Sequence, residues 1–299
     1  MDRLRAIVLG AAAGGGYPQW NCRCPVCQLA WDKDSRVRPR TQASLAVSVD
    51  GARWVLLNAS PDLRAQLAAT AALQPKSGVR GSPIAAVVLT GAEIDQIAGL
   101  LHLRERQAFA IHATREALDI VAANAIFDAL APDVVERRAV TLGEPFTVAG
   151  IGVELFAAPG KVPLYLERGD AQSDESTVNA GAELSAGGRR LVFVPGAASL
   201  TPALMARLER ADIVFFDGTL FTDDEMIRTG SGAKTGRGMG HMPIDGDGGS
   251  LSALAGLPGR RIYIHINNTN PILVDGSPER RCVEAAGIEV GEDGMEIVL

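Results

Sequence analysis

The chain has 299 residues, a formal net charge of −6 and a hydrophobic content of 47%. That size and apolar fraction support a large buried core, and an acidic balance with arginines clustered no further than short pairs argues against the basic stripe that grips nucleic acid. No apolar run reaches the ~18 residues that a membrane helix needs, and the opening residues 1–10 read as a strand rather than a secretory signal, so a reducing cytoplasm is the expected compartment.

In chain order, residues 5–9, 44–49 and 54–58 are apolar, partly β-branched runs that read as strands. The first is followed by a glycine knuckle, Gly14-Gly15-Gly16. Residues 61–70 read as a helix with Ser60 as N-cap and Pro61 at its first position. A buried strand is expected at 84–89, a helix at 93–103, a strand at 108–112 and a long helix at 114–130 capped by Thr114. Several strands fill 139–194. A helix over 203–210 has Thr201 as its cap and Pro202 at its start. Residues 213–216 form a strand ending at Asp217, residues 261–266 one that carries His265, and residues 295–298 the last. Two stretches read as mobile: the polar 169–175, and 230–249, whose eight glycines favour a bending loop with close backbone approach. No linker divides the chain, which predicts a single domain over 1–299.

Three of the four cysteines, Cys22, Cys24 and Cys27, fall within six positions. Thiolates so spaced surround one point and suit a soft tetrahedral ion such as zinc. An odd number also leaves one thiol over from any disulfide. Residues 20–28, which lie ahead of any long helix, are therefore expected to form a zinc-binding loop. Three plain buried cysteines are the alternative.

Four further places put metal-type side chains after an apolar strand or in a glycine-rich loop: Glu93 and Asp95, Asp217, His241, and His265. Strand ends suit a site because the sheet fixes position while the loop supplies reach. Each has a plainer reading. Glu93 and Asp95 would favour a helix first turn, Asp217-Gly218 is a common turn pair, and His265 could be a satisfied core histidine.

Together these residues carry a resemblance. The run from Leu89-Thr90 to Gly99-Leu100 resembles the metallo-β-lactamase superfamily signature Thr-His-x-His-x-Asp-His-x-x-Gly, with Asp217 at the place of its bridging aspartate and His265 at that of its last histidine. Over essentially the whole chain the sequence resembles one family more closely, the pyrroloquinoline quinone (PQQ) biosynthesis protein B family. The matching runs are Gly10 to Cys22, Phe216-Asp217-Gly218-Thr219-Leu220, Gly240-His241-Met242, His265 to Pro271 and Asp293 to Ile297. The resemblance implies an α/β fold, the metallo-β-lactamase-like αββα sandwich.

The departures are as informative as the match. Superfamily hydrolases hold two ions, the first on the His-x-His pair and a histidine from a later loop. Here the pair is Gly91 and Glu93, and the loop around residues 156–162 has no histidine. Asp95, Asp217 and His265 remain for the second site, with Gln96 where a histidine is usual. A two-ion clamp on attacking and leaving oxygens is poorly supported. One carboxylate-rich centre remains, and its hard ligands suit Fe(II) or Mn(II) at least as well as zinc. His241 is a ligand or an acid–base group, Glu93 a further ligand or a base, and Gln96 an open question. In related phosphodiesterases of this fold a similar cysteine triplet holds structural zinc, with a histidine three positions after the active-site histidine as fourth ligand. That position is Asn268 here, which leaves Asn268, a water or Cys282 for the role.

The resemblance implies a role in PQQ biosynthesis: iron-dependent hydroxylation, with dioxygen as co-substrate, of the tyrosine ring in a cross-linked glutamate–tyrosine precursor. Substrate carboxylates need cations, and Arg104, Arg106, Lys234 and Arg237 are candidates by position. A carrier for transport of PQQ or its precursor is the rival reading, and a phosphodiesterase-like hydrolase the third. A small-molecule partner, no nucleic acid, no membrane and a homodimer are expected.

Overall fold

The computed structural model describes residues 3–166 and 178–299; the polar stretch 169–175 lies outside the described residues. The strands are, in chain order, β1 (Arg5–Gly10), β2 (Ser44–Ser48), β3 (Trp54–Leu57), β4 (Ile84–Val88), β5 (Phe109–Ala113), β6 (Val135–Ala139), β7 (Phe146–Val148), β8 (Ile151–Ala157), β9 (Ala180–Ala186), β10 (Arg189–Val194), β11 (Ile213–Asp217), β12 (Arg260–Ile264), β13 (Glu289–Val290) and β14 (Glu296–Val298). They form two seven-stranded sheets, ordered β14-β1-β2-β3-β4-β5-β6 and β13-β12-β11-β10-β9-β8-β7.

Side chains on a strand alternate between faces, so a strand buried on both sides is apolar at every position. Val8, Val47, Leu57 and Val88 of the first sheet meet Leu155, Leu184, Phe193, Phe215 and Ile264 of the second in a central core. Their neighbours face outwards. Ile7, Trp54, Leu56 and Val87 pack under Leu63, Leu100, Leu118 and Val121. Val214, Phe216 and Tyr263 pack under Leu204, Leu208, Leu254 and Val283. Helices therefore cover both outer faces, giving the expected αββα layering.

Several element boundaries differ from the sequence expectation for local reasons. The helix expected at 61–70 spans Leu63–Ala69 with Asp62, not Ser60, at its N-cap. Ser60 instead donates to the Gln66 side chain, and Asp62 accepts from the backbone and amide of Gln42. The helix expected at 93–103 is one α-turn, Ile94–Ile97, continued as a 3₁₀ segment, Ala98–Leu103. That expected at 114–130 keeps its Thr114 cap but ends at Ala122, and a 3₁₀ turn follows at Ala125–Ala129. The helix after Thr201 is as expected, Pro202–Leu208 with the Thr201 hydroxyl accepting from Leu204 N–H.

The register of the second sheet positions the site. β10, β11 and β12 run parallel, pairing Val194 with Phe216 and Phe216 with Tyr263. Their carboxyl ends therefore lie side by side, and the residues that follow them, Gly196-Ala197, Asp217-Gly218-Thr219 and His265, emerge at one edge. The end of β1 reaches the same edge, because Ala13 N–H donates to Ile266 O and Ile266 N–H to Ala11 O.

Candidate metal centre

Asp95 reaches this edge from the first sheet. After β4 the chain is tied to the second sheet by Ala180 N–H donating to Thr90 O. Thr90 is also locked to Asn58, whose side-chain oxygen accepts from its N–H. Glu93 then caps the short helix Ile94–Ile97 in a reciprocal capping box with Gln96, and Asp95 lies in its first turn. The turn is pressed against the Asn58–Ser60 loop: a Cβ at Gly99 would stand 2.0 Å from Ser60 O, so only glycine fits. On the open side a Cβ at Gly14 would sit 3.7 Å from Asp95 Oδ2, which places the glycine knuckle beside the carboxylate.

His265 lies between the two acids. Its Nε2 is 2.9 Å from Asp95 Oδ2. On the other side its Nδ1 is 2.9 Å from Thr219 Oγ1. The residue adopts φ +57°, a left-handed conformation uncommon for a non-glycine residue and one that marks a position held by its surroundings. Asp217 is wholly buried. Its Oδ1 accepts from Thr219 N–H (3.0 Å) and Thr219 Oγ1–H (2.6 Å). Its Oδ2 accepts from Ala197 N–H (2.9 Å) and lies 2.7 Å from His241 Nδ1. The two imidazoles stack, centroids 5.2 Å apart, and Gly196 leaves room for the His241 ring. One ligand atom each from Asp217, His241 and His265 lies within 4.8 Å of the others. Asp95 stands outside that triad, on the far nitrogen of His265.

The electrostatics follow from this enclosure. Burial pushes Asp95 upwards, but the hydrogen bond and charge of His265 outweigh it and hold the carboxyl below its ordinary range. Asp217 is treated alike: burial opposes ionisation, and the charge and hydrogen bond of His241, with His265 and Thr219, prevail. For His265 burial disfavours the cation, yet Asp95, Asp217 and Glu93 raise its affinity for a proton above the ordinary histidine value. A pocket that stabilises imidazolium beside carboxylates will equally stabilise a divalent cation in place of the protons.

The other residues singled out in the sequence fall in different places. Gln96 is used structurally: its Oε1 accepts from Glu93 N–H at 3.1 Å, and a Cβ at Gly91 would come within 2.3 Å of the same oxygen. Glu93 takes part in the capping box and adds negative charge near His265. The loop 230–249 is not wholly irregular. It contains a helical turn, Gly236–Met239, capped by Thr235 and closed by left-handed Gly240, which delivers His241. Arg237 braces this loop, its guanidinium donating to Asp247 O and Gly248 O, and Lys234 is exposed on the same loop. Arg106 pairs with Asp133 and Arg104 donates to Leu101 O, both at the surface. The sequence reading passes over Thr219, although it stands in the Phe216-to-Leu220 run, and Lys161, whose Nζ donates to Gly238 O beside the His241 turn.

The cysteines converge as expected. Cys22, Cys24 and Cys27 bring their sulfurs within 4.8 Å of one another. The segment is not wholly a loop: Pro25–Trp31 is a helix, because Cys24 serves as N-cap, its Sγ accepting from Cys27 N–H, and Pro25 occupies the first turn. The hydrogen bond from Cys24 favours ionisation of the Cys27 thiol. The Asn268 amide nitrogen lies 3.2 Å from Cys22 Sγ and 3.3 Å from Cys27 Sγ. Turning that amide over would present Oδ1 to the same point, so three thiolates and one oxygen fit a tetrahedral zinc. Cys282 is exposed and outside this cluster.

No helix among the described residues is long and apolar enough to cross a membrane. Residues 53–266 match the family model described as a beta-lactamase superfamily domain. The chain is 58% identical to the coenzyme PQQ synthesis protein B of Methylobacterium nodulans, covering 99% of this chain and all of the relative. It superposes with a TM-score of 0.97 on Zn(2+)-bound PqqB from Methylobacterium extorquens, at 51% identity over 99% of this chain and 100% of that one. A diphosphatase from the PhnP family shares the fold at 20% identity, with a TM-score of 0.71 over 99% of this chain and 97% of that one. A chain related at this level along its full length belongs to the coenzyme PQQ synthesis protein B family of the metallo-β-lactamase superfamily.

Proposed function

We propose that the chain acts in PQQ biosynthesis as a metal-dependent, oxygen-using hydroxylase of the tyrosine ring in the cross-linked glutamate–tyrosine precursor. The names of its relatives support the pathway. The observation that carries the reaction class is the donor set. Two imidazoles, His241 and His265, stand with Asp95 and Asp217 where a hydrolase of this fold has two ions and more histidines. Two histidines with a carboxylate and open positions is the ligand composition of non-haem Fe(II) oxygenases. Asp95, His265 and His241 would hold the ion, with Asp217 beside them. The zinc carried by the Methylobacterium extorquens relative supports divalent metal binding. The cysteine cluster, capped by Asn268, would hold a separate structural zinc.

When bound, Fe(II) would supply the one-electron chemistry that activates dioxygen; one oxygen atom enters a ring C–H bond and the other leaves as water, and the two electrons this requires come from an external two-electron reductant of the thiol or ascorbate class. The chain's own residues do the rest. Asp95 and Asp217 hold negative charge in a buried cup, which selects a cation. His241, partly exposed on its glycine-rich turn, would complete the donor set from the side of that loop. Lys234 and Arg237 supply positive charge on the same loop for the precursor's carboxylates. The test is direct. Protein loaded anaerobically with Fe(II) is mixed with the diamino acid and an excess of ascorbate or thiol and then exposed to air. Gain of oxygen in the product mass supports the hydroxylase; binding without a mass change refutes it and favours a carrier. Hydrolysis of a phosphodiester by the zinc form would favour the hydrolase.

A further inference from the structure

The structure assigns to Thr219 the role of positioning residue for the metal centre: its hydroxyl sets both imidazoles as Nδ1–H tautomers, leaving each Nε2 for the open side of the site. The argument is a count of protons. A threonine hydroxyl has one hydrogen to give and two lone pairs to receive. Thr219 Oγ1 has four close polar neighbours: Asp217 Oδ1 at 2.6 Å, His265 Nδ1 at 2.9 Å, His265 O at 3.0 Å and His241 Nδ1 at 3.1 Å. Asp217 Oδ1 is ionised, shortest and able only to accept, so it takes the hydrogen. Nothing remains to donate to a ring nitrogen. Both Nδ1 atoms must then be donors, His265 to Thr219 and His241 shared between Thr219 and Asp217 Oδ2. In the metal-free chain the His265 Nε2 carries a proton that it donates to Asp95 Oδ2 at 2.9 Å, and a bound ion would take the place of that proton.

The same count changes the part played by Asp217. A carboxylate offers about four lone-pair positions. All are engaged here, by Thr219 N–H, Thr219 Oγ1–H, Ala197 N–H and His241 Nδ1–H. Asp217 therefore acts through the imidazoles, as the buried support of the pair, and Asp95 is the carboxylate that meets the ion. The backbone of Thr219 is itself fixed: its carbonyl accepts from Asn267 N–H and from the Asn270 side chain.

This inference rests on a metal occupying the centre, but not on the reaction that the metal performs. Its test uses ¹⁵N-histidine NMR of the zinc-loaded full chain, with zinc affinity measured by chelator competition. The expected wild-type spectrum shows a protonated Nδ1 on His241 and His265 and zinc on His265 Nε2; coordination of His265 through Nδ1 overturns the assignment. Thr219→Val is expected to weaken zinc binding at this centre roughly 10–100-fold, the usual effect of losing a group that orients a metal-bound histidine. Thr219→Ser is expected to recover it to within a few-fold. Unchanged affinity in Thr219→Val, or a Thr219→Ser as weak as Thr219→Val, refutes the role. Zinc retained on the cysteines reports folding of each variant, and the wild-type spectrum stands even if Thr219→Val does not fold. A wild type that takes up no zinc at this centre ends the metal reading alone. In that case the His265 Nδ1–H of the metal-free protein still decides: protection from exchange that is lost in Thr219→Val and kept in Thr219→Ser supports the role, and none in the wild type refutes it.

Discussion

Substituting Cys24 by serine separates the two jobs this residue does. Cys24 Sγ is the N-cap of the helix Pro25–Trp31 and one of the three clustered thiols. Serine is among the best N-cap residues, so Cys24→Ser keeps the cap and removes only a soft ligand. With chelator present, the variant should match the wild type to within about 0.5 kcal/mol, the usual range of a tolerated substitution. With free zinc at a hundred to a thousand times its dissociation constant, the wild type gains about 2.7–4.1 kcal/mol that the variant does not. For a chain of this length each kcal/mol moves the midpoint by roughly 2 °C, so the gap should open to about 5–8 °C. Thermal unfolding with and without chelator, alongside metal content, reads this out. Metal content is counted separately for the Asp95–His265 centre, so that an ion held there is not credited to the cysteines. A gap that persists in chelator, or a variant that keeps its full zinc content, would show that the cysteines serve packing rather than a metal.

His265→Asn should leave the fold and the cysteine zinc intact, because asparagine tolerates the left-handed backbone at this position. It should remove metal from the active centre, as elemental analysis would show by the loss of one ion class only. Gly91→His, which restores the superfamily's residue, should destabilise the chain by about 1–3 kcal/mol through overpacking against Gln96 and should recruit no second ion; denaturant midpoints and metal stoichiometry test this. The third concerns pH. Burial raises Glu225 to about 7, although Thr269 and Phe221 N–H donate to it. The folded chain therefore holds a proton there that the unfolded chain releases above its ordinary 4.5. Stability should fall as pH rises from about 4.5 to about 7 and level off above that, by about 3 kcal/mol at ~1.36 kcal/mol per unit. Glu225→Gln mimics the protonated acid and should flatten that slope; an equal slope in both proteins would assign it elsewhere.

Much of the fold was legible because the sheets are buried on both faces. Runs such as Ile213-Val214-Phe215-Phe216 need no periodicity to be read as interior strands. The helices were misjudged at their ends. Asp62 displaced Ser60 as N-cap, and helix gave way to 3₁₀ turns after Ile97 and Ala122. At the site, Asp95, Asp217, His241 and His265 could be named because each follows a strand or ends a glycine turn. Their mutual arrangement could not. Which nitrogen of His265 meets which acid depends on a left-handed backbone and on Thr219, and neither leaves a signal in the order of residues. Asn268 was legible as a position and poor as a ligand type; only the folded loop shows its amide resting on the sulfurs.

The lost histidines are not simply missing from an otherwise hydrolytic site, because the space they would use is occupied. Gln96 fills the volume a side chain at Gly91 would need, and its amide is bound into the capping box that sets the turn carrying Asp95. The histidine-free loop after β8 contributes Lys161, which secures the turn bearing His241. Each departure thus supports a residue that the remaining centre keeps. The Asn267–Asn270 segment extends this dependence to the cysteines. It begins two residues after His265, receives Thr219 O at Asn267 and Asn270, and lays Asn268 over the thiols. A zinc on the cysteines would therefore fix the far end of the segment whose near end places the His265 ring, and its loss would loosen the active centre without removing any of that centre's own donors.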